Sequence, residues 1–358
     1  MKIVCPSCNA EYNIPQSKIP AKKSAAACNR CGARIVFDPE TNRTGPSDAS
    51  EPAPEPTAPH RIAASVPAPA AALSAAYADY PQLRQMSAAQ LDISQILTEN
   101  KKGGFRNRKN KRKVKILRAV APLLDKVLVR GERIMRVAKG IAYYPLELLL
   151  GGGVLTMLYN HYAILCTDRR VLLVNTTYRM RRPAHYLFQI PYGDMKKIVR
   201  GWIFTNLTFK RRTGKKRIFN YVDRFSLKEL SRFIGAQIEK CQAAEQPPEP
   251  IEDLCPACCL PLAKGLNACP QCRTAFKRSR TAFIRSLILP GWGDLYLGHR
   301  ALGLLELLGS AVVWLVVIGQ ILTPGIAHLM TALLIVFIYN GLDALLALHM
   351  AKKGYMAA

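Results

Sequence analysis

The sequence has no serine–histidine–aspartate set, no glycine-rich phosphate loop, no paired catalytic carboxylates and no metal-ligand pattern with an open position; its six histidines are scattered. These absences argue against an enzyme. Met1 to Ala10 lacks the apolar core of a secretory signal, so no early export of this end is expected. Bulky apolar side chains almost vanish from Gly45 to Pro81, which runs through Pro and Ala with scattered acids. Such a stretch cannot bury a core, and 41–100 is expected to be a disordered linker, with a transient helix around Leu91 to Leu97. Acidic residues are scarce in one place: 101–240 holds 33 basic against eight acidic side chains, whereas 1–100 balances nine against nine. Nearly all of the net charge of +27 therefore sits in one block, which should seek an anionic polymer or an anionic membrane surface.

Of the eleven cysteines, eight form four C-x2-C pairs. In a chain this long the pattern reads as metal ligation in a reducing compartment. Cys5, Cys8, Cys28 and Cys31 can place four thiolates around one tetrahedral zinc, and Cys255, Cys258, Cys269 and Cys272 can do the same, giving two structural ions. Gly32 supplies permissive backbone after the second N-terminal pair. Cys259 is read as a bystander thiol, as are Cys166 and Cys241. Redox chemistry is the competing reading, but thioredoxin-like sites need a strand before the motif and a helix starting at it. Met1, Ile3, Cys5, Cys8, Tyr12 and Ile14 carry a pattern that resembles a zinc-finger domain found at the start of many bacterial proteins. The second set resembles the short zinc ribbons of multidomain prokaryotic chains. The expected ribbons are 1–40 and 254–276, the latter after a linker at 242–253.

The polybasic segment 101–118 contains Arg106, Arg108, Lys109, Lys111, Arg112, Lys113, Lys115 and Arg118, and leads into an amphipathic helix carrying Pro122. Short runs rich in β-branched and aromatic residues follow: Arg133 to Val137, Tyr162 to Thr167, Val171 to Asn175, Tyr186 to Ile190, Ile203 to Phe209 and Ile218 to Val222. They predict an antiparallel sheet, closed by a helix from a capping box at Ser226–Glu229. The stretches Gly131-Glu132-Arg133-Ile134, Thr167-Asp168-Arg169-Arg170-Val171 and Ile190-Pro-Tyr-Gly-Asp194-Met resemble the bacterial PH and GRAM-like domains, which implies a PH-like antiparallel β-barrel with a C-terminal helix over 119–241. An apolar insertion, Ile141 to Tyr159, departs from that pattern. Its length suits a membrane span, but Glu147, Pro145 and three glycines oppose one; a loop or short helix packing on the barrel or meeting the lipid interface is expected.

Ala301 to Leu322 and Gly325 to Met350 are each long enough to cross the hydrocarbon core. Arg278, Arg280, Arg285 and Arg300 precede this pair, and Lys352 and Lys353 follow it, so both termini are expected in the cytoplasm of a bacterial inner membrane. The preceding Pro290-Gly-Trp-Gly-Asp-Leu-Tyr296-Leu-Gly298, with Gly303 and Asp343, resembles a two-transmembrane domain family over 285–350. Glu306 and Asp343 are acids inside the spans and are functional candidates on that ground. The whole reads as a multidomain chain: small β zinc ribbons, a PH-like domain and a transmembrane hairpin. Two functions fit it. One is a membrane-anchored adaptor or sensor that binds a protein partner through its ribbon and an anionic lipid surface through its basic block. The other is a membrane-tethered nucleic-acid-binding protein; only Phe105 interrupts the basic block, so the aromatic interleaving of single-strand binders is missing.

Overall fold

The structure, a computed structural model, describes residues 2–4, 11–13, 24–27, 34–37, 70–86, 90–99, 104–150, 157–244 and 253–358. They fall into two compact units, Met1–Val66 and Pro67–Ala358. In the first, β1 (Lys2–Val4) pairs antiparallel with β2 (Glu11–Asn13), and β3 (Ser24–Ala27) with β4 (Arg34–Phe37). Cys5, Cys8, Cys28 and Cys31 lie outside the described residues; in chain order they fall in the β1–β2 and β3–β4 connections.

The second unit is built on a seven-stranded antiparallel sheet: β5 (Ile134–Ala142), β6 (His161–Thr167), β7 (Arg170–Thr176), β8 (Pro183–Pro191), β9 (Met195–Arg200), β10 (Leu207–Arg211) and β11 (Lys216–Asn220). The order is β8-β7-β6-β5-β11-β10-β9. The sheet is open, with β8 and β9 as its edges, and does not close into the expected barrel. Strand β9 was not anticipated, because Met195-Lys-Lys-Ile-Val-Arg200 carries an edge strand's charges. The run at Ile203 opens as a short 3-10 turn and becomes strand only from Leu207.

Both faces of the sheet are covered, as the central strands require. In β6 every residue is buried: Tyr162, Ile164 and Cys166 point into one cluster, Ala163 and Leu165 into the other. The first cluster is closed by α5 (Arg224–Ala243) through Leu227, Leu230, Ile234 and Ile238. Its N-cap is Asp223, whose carboxylate accepts from the Ser226 N–H, so the helix starts before the expected capping box. The second cluster is closed by α1 (Ala70–Asp79), α2 (Ile93–Ile96) and α3 (Arg108–Val127). Residues 70–86 and 90–99, expected within the linker, thus belong to the core: Tyr80, Leu83, Leu91, Ile93, Ile96 and Leu97 are buried. Their apolar side chains give only the weak pattern around Leu91 to Leu97 in the sequence, yet with α3 they cover one sheet face.

The predicted PH-like motif resolves into an ion pair. Gly131 takes a left-handed φ of 79°, turning the chain so that Glu132 points inward. Its carboxylate accepts from the Val129 N–H at 2.9 Å, Thr167 Oγ1 at 2.8 Å and Arg170 Nε at 2.9 Å, with Arg170 Nη2 at 2.8 Å. Burial pushes the Glu132 carboxyl up, but these donors outweigh it and hold the group below the usual carboxylate range.

Within the insertion, whose residues 151–156 lie outside the described ones, a short helix, α4 (Pro145–Leu150), packs on the unit. Glu147 is buried against Lys353, His349 and Asn160, and Tyr159 Oη accepts from the Leu302 N–H at 2.9 Å. After α5 and the second cysteine set come α6 (Ser279–Ile288), α7 (Trp292–Leu297), α8 (Arg300–Leu322) and α9 (Ile326–Ala351). The last two are long and apolar enough to cross a membrane, and only 22% and 28% of their most apolar windows are buried, where the core helix of a soluble protein would be mostly covered. They pack against each other, and Leu302, Leu346, Ala347 and Met350 at their paired ends join the sheet's first cluster.

Candidate functional site

Two assemblies of functional side chains flank the sheet. The first is the cysteine cluster. Cys255, Cys258, Cys269 and Cys272 bring their sulfurs within 4.8 Å of one another. Cys255 and Cys272 are 3.7 Å apart, and Cys258 and Cys269 3.6 Å. Sulfurs bound to one zinc at about 2.3 Å stand about 3.8 Å from each other, so the donor set fits tetrahedral zinc. Local backbone explains the convergence. In each pair the residue after the second cysteine is left-handed, Cys259 at φ 60° and Arg273 at φ 59°. Its N–H donates to the carbonyl of the first cysteine at 2.9 Å in both cases. The two knuckles are therefore repeats of one turn. The Cys259 side chain faces Leu254 and the sheet's second cluster instead of the other four sulfurs. Hydrogen bonds from Thr274 pull the exposed Cys272 thiol down to about 6, while burial and the adjacent thiols push Cys258 up to about 12.

This ribbon is wedged between the sheet and the chain that follows α9. Leu254 N–H donates to the Leu187 carbonyl on the outer edge of β8 at 2.9 Å. On its other side, Phe276 packs against Tyr355 with ring centres 4.6 Å apart and planes tilted by 41°, and Ala358 N–H donates to the Ala275 carbonyl.

The second assembly is cationic. Helix α3 buries one face in the sheet and turns Arg108, Lys109, Lys111, Arg112, Lys115 and Arg118 outward, with Arg106 exposed just before it. Lys113 alone of the predicted cations is buried, its Nζ donating to the Ile96 carbonyl at 2.7 Å with Glu229 at 3.4 Å. Burial lowers its pKa despite that partner. Arg106 approaches Asp79 at 3.8 Å. Arg108, Lys109, Arg112 and Lys115 line a groove of about 710 Å³ together with Lys139 of β5 and Arg179 of the β7–β8 turn, which sequence reasoning missed. Asp223 and Ser226 line it too. Burial, then Lys115 and Arg112, lower the Lys139 pKa. Tyr178 forms part of this groove and of the next one, whose wall includes Arg182, His185 and Arg300 at the start of α8.

Of the two acids expected inside spans, Glu306 lies on α8 and Asp343 on α9, and their carboxylates converge with that of Asp294 on α7, one oxygen of each lying within 4.8 Å of the others. Asp294 was not singled out in the sequence; its place inside the glycine-rich motif was the available signal.

Residues 1–36 match the zinc-ribbon domain family. No curated protein matches the chain. Among solved structures, the C-terminal domain of an unknown protein from Leishmania infantum aligns with 37% of this chain and 99% of its own length, at 13% identity and a TM-score of 0.24. The N-terminal 36 residues are thus similar to zinc ribbons, and both N-terminal cysteine pairs lie inside the match.

Proposed function

We propose that this chain is a membrane-anchored adaptor or sensor: α8 and α9 span a bacterial inner membrane with both termini in the cytoplasm, the PH-like sheet domain lays its cationic face on anionic lipid, and the N-terminal ribbon engages a protein partner. Two zinc ions, one per ribbon, are structural, and the chain performs no chemistry of its own. The observation that carries the reading is the continuity of positive charge from Arg300, at the mouth of the hairpin, past Arg182 and Tyr178 to the groove of Lys139, Arg179 and the α3 cations. Those cations stand beside the end of the hairpin where the positive-inside rule puts the anionic leaflet. Exposed aromatics support the same surface: Tyr221 lines the groove, and Phe204, 60% exposed, lies against Tyr221 with ring centres 6.1 Å apart. Such side chains favour the headgroup region of a bilayer.

The test is lysine footprinting of the full chain in nanodiscs of neutral and of anionic lipid. Protection of Lys109, Lys115 and Lys139 by anionic lipid alone, surviving a titration of single-stranded RNA or duplex DNA, is expected. Protection by nucleic acid instead would replace this reading with a membrane-tethered nucleic-acid-binding protein.

A further inference from the structure

We propose that Asp294, Glu306 and Asp343 form a binding site for one hard divalent cation, at the cytoplasmic end of the helical hairpin and separate from both zinc ribbons.

The site is assembled by glycines. Helix α7 reaches α8 and α9 only because side chains are missing where it passes. A Cβ on Gly303 would stand 2.7 Å from the Gly291 carbonyl oxygen, and one on Gly293 would stand 2.5 Å from the Ala282 carbonyl oxygen of α6 and 3.0 Å from the Ala347 Cβ of α9. Gly291, at φ 82°, opens the turn, and its N–H donates to Asp343 Oδ2 at 3.0 Å. That wedge delivers Asp294 to the two acids contributed by the spans. All three carboxylates then fall within 4.8 Å of one another. Oxygens held by one calcium-sized ion at about 2.3–2.6 Å lie no more than about 5 Å apart, so a single ion can bridge the set.

Two oxygens point to an occupant. Asp294 is completely buried, and neither its Oδ2 nor the buried Glu306 Oε2 receives a hydrogen bond from any group outside the cluster; their neighbours are the other carboxyls of the same set. Lys353, the buried cation whose charge reaches Asp294, forms its ion pair with Glu147 instead. His299 Nδ1 stands 3.1 Å from Asp294 Oδ1 and fixes that carboxylate, leaving Oδ2 free to ligate. Among the described residues, no lysine or arginine pairs with any of the three acids. A divalent cation satisfies both orphaned oxygens and offsets the clustered negative charge. Carboxylate oxygens prefer magnesium, calcium or manganese, whereas the cysteine clusters take zinc, so the two classes of site do not compete.

The probe is Ca²⁺ by calorimetry and Mn²⁺ by electron paramagnetic resonance, on the full zinc-loaded chain in detergent micelles or nanodiscs. One ion per chain is expected, and Glu306→Gln, Asp343→Asn and Asp294→Asn should each weaken binding by roughly tenfold or more without changing zinc content. If a variant does not fold, the titration of the unmodified chain decides. Failure of that chain to bind Ca²⁺, Mg²⁺ or Mn²⁺, or binding that all three folded variants leave unchanged, overturns the proposal.

Discussion

At the scale of single residues, the buried pair Glu132–Arg170 makes a pH-dependent claim. The Glu132 carboxyl is held below its ordinary 4.5, so the folded state binds the proton more weakly than the unfolded one. Its stabilisation is complete above that value and is lost as pH falls through the folded pKa. Replacing Glu132 with Gln should cost roughly 3 kcal/mol at neutral pH, because Arg170 is then left partly buried without its counter-charge, and should flatten the acid limb of a denaturation curve. A second claim separates ligand from bystander. Cys272→Ser should lose one zinc by elemental analysis, while Cys259→Ser keeps it, since Cys259 faces the sheet cluster. The ligand spacing was legible because two thiolates on one knuckle need two residues between them; which of Cys258 and Cys259 turns toward the cluster depends on the left-handed backbone at 259. The Glu132–Arg170 pair appeared in the sequence only as a motif. Nothing along the chain says that residues thirty-eight apart share a buried contact.

Among the elements, α3 carries two jobs on two faces. Val114, Leu117, Val120 and Leu124 seal the sheet, while Lys109, Arg112 and Lys115 face outward. Changing those three to Glu should therefore move stability by no more than about 0.5 kcal/mol each, yet abolish the anionic-lipid footprint; a parallel loss of folding would mean that the outward face also packs. The turn before β10 makes a complementary case. Phe204 holds φ 57° with its ring largely exposed, so Phe204→Gly should raise stability by about 1 kcal/mol, measured by thermal unfolding, while weakening contact with vesicles. Strands β6 and β7 were legible as unbroken runs of apolar side chains, and that lack of alternation is itself the mark of a sheet covered on both sides. Of the helices that cover the second face, α3 was legible as an amphipathic helix and α2, only four residues long, as no more than a transient one, while α1, six of whose ten residues are alanine, shows no apolar period.

For the whole molecule, the second ribbon joins the outer edge of β8 to the tail after α9. Stripping its metal should free that tail, and limited proteolysis should then cut between Asp253 and Phe276 while the seven strands resist; equal cleavage of the metal-loaded chain would show that the metal does not hold the joint. The hairpin and the ribbon could each be read in the sequence. Their meeting on one sheet could not, since Gly354 passes over Phe188 and Tyr186 through a contact that only the folded chain brings about. An open sheet also has two ends at which a stranger can add a strand. The β9 end carries Lys196, Lys197 and Arg200, charges that repel a second copy. The β8 end runs Tyr186-Leu-Phe-Gln-Ile190, an apolar sequence with no such guard, and it is covered by the ribbon. Loss of metal therefore threatens self-association before it threatens folding: a starved cell would lose this protein to intermolecular strand pairing through β8, with its own sheet still intact.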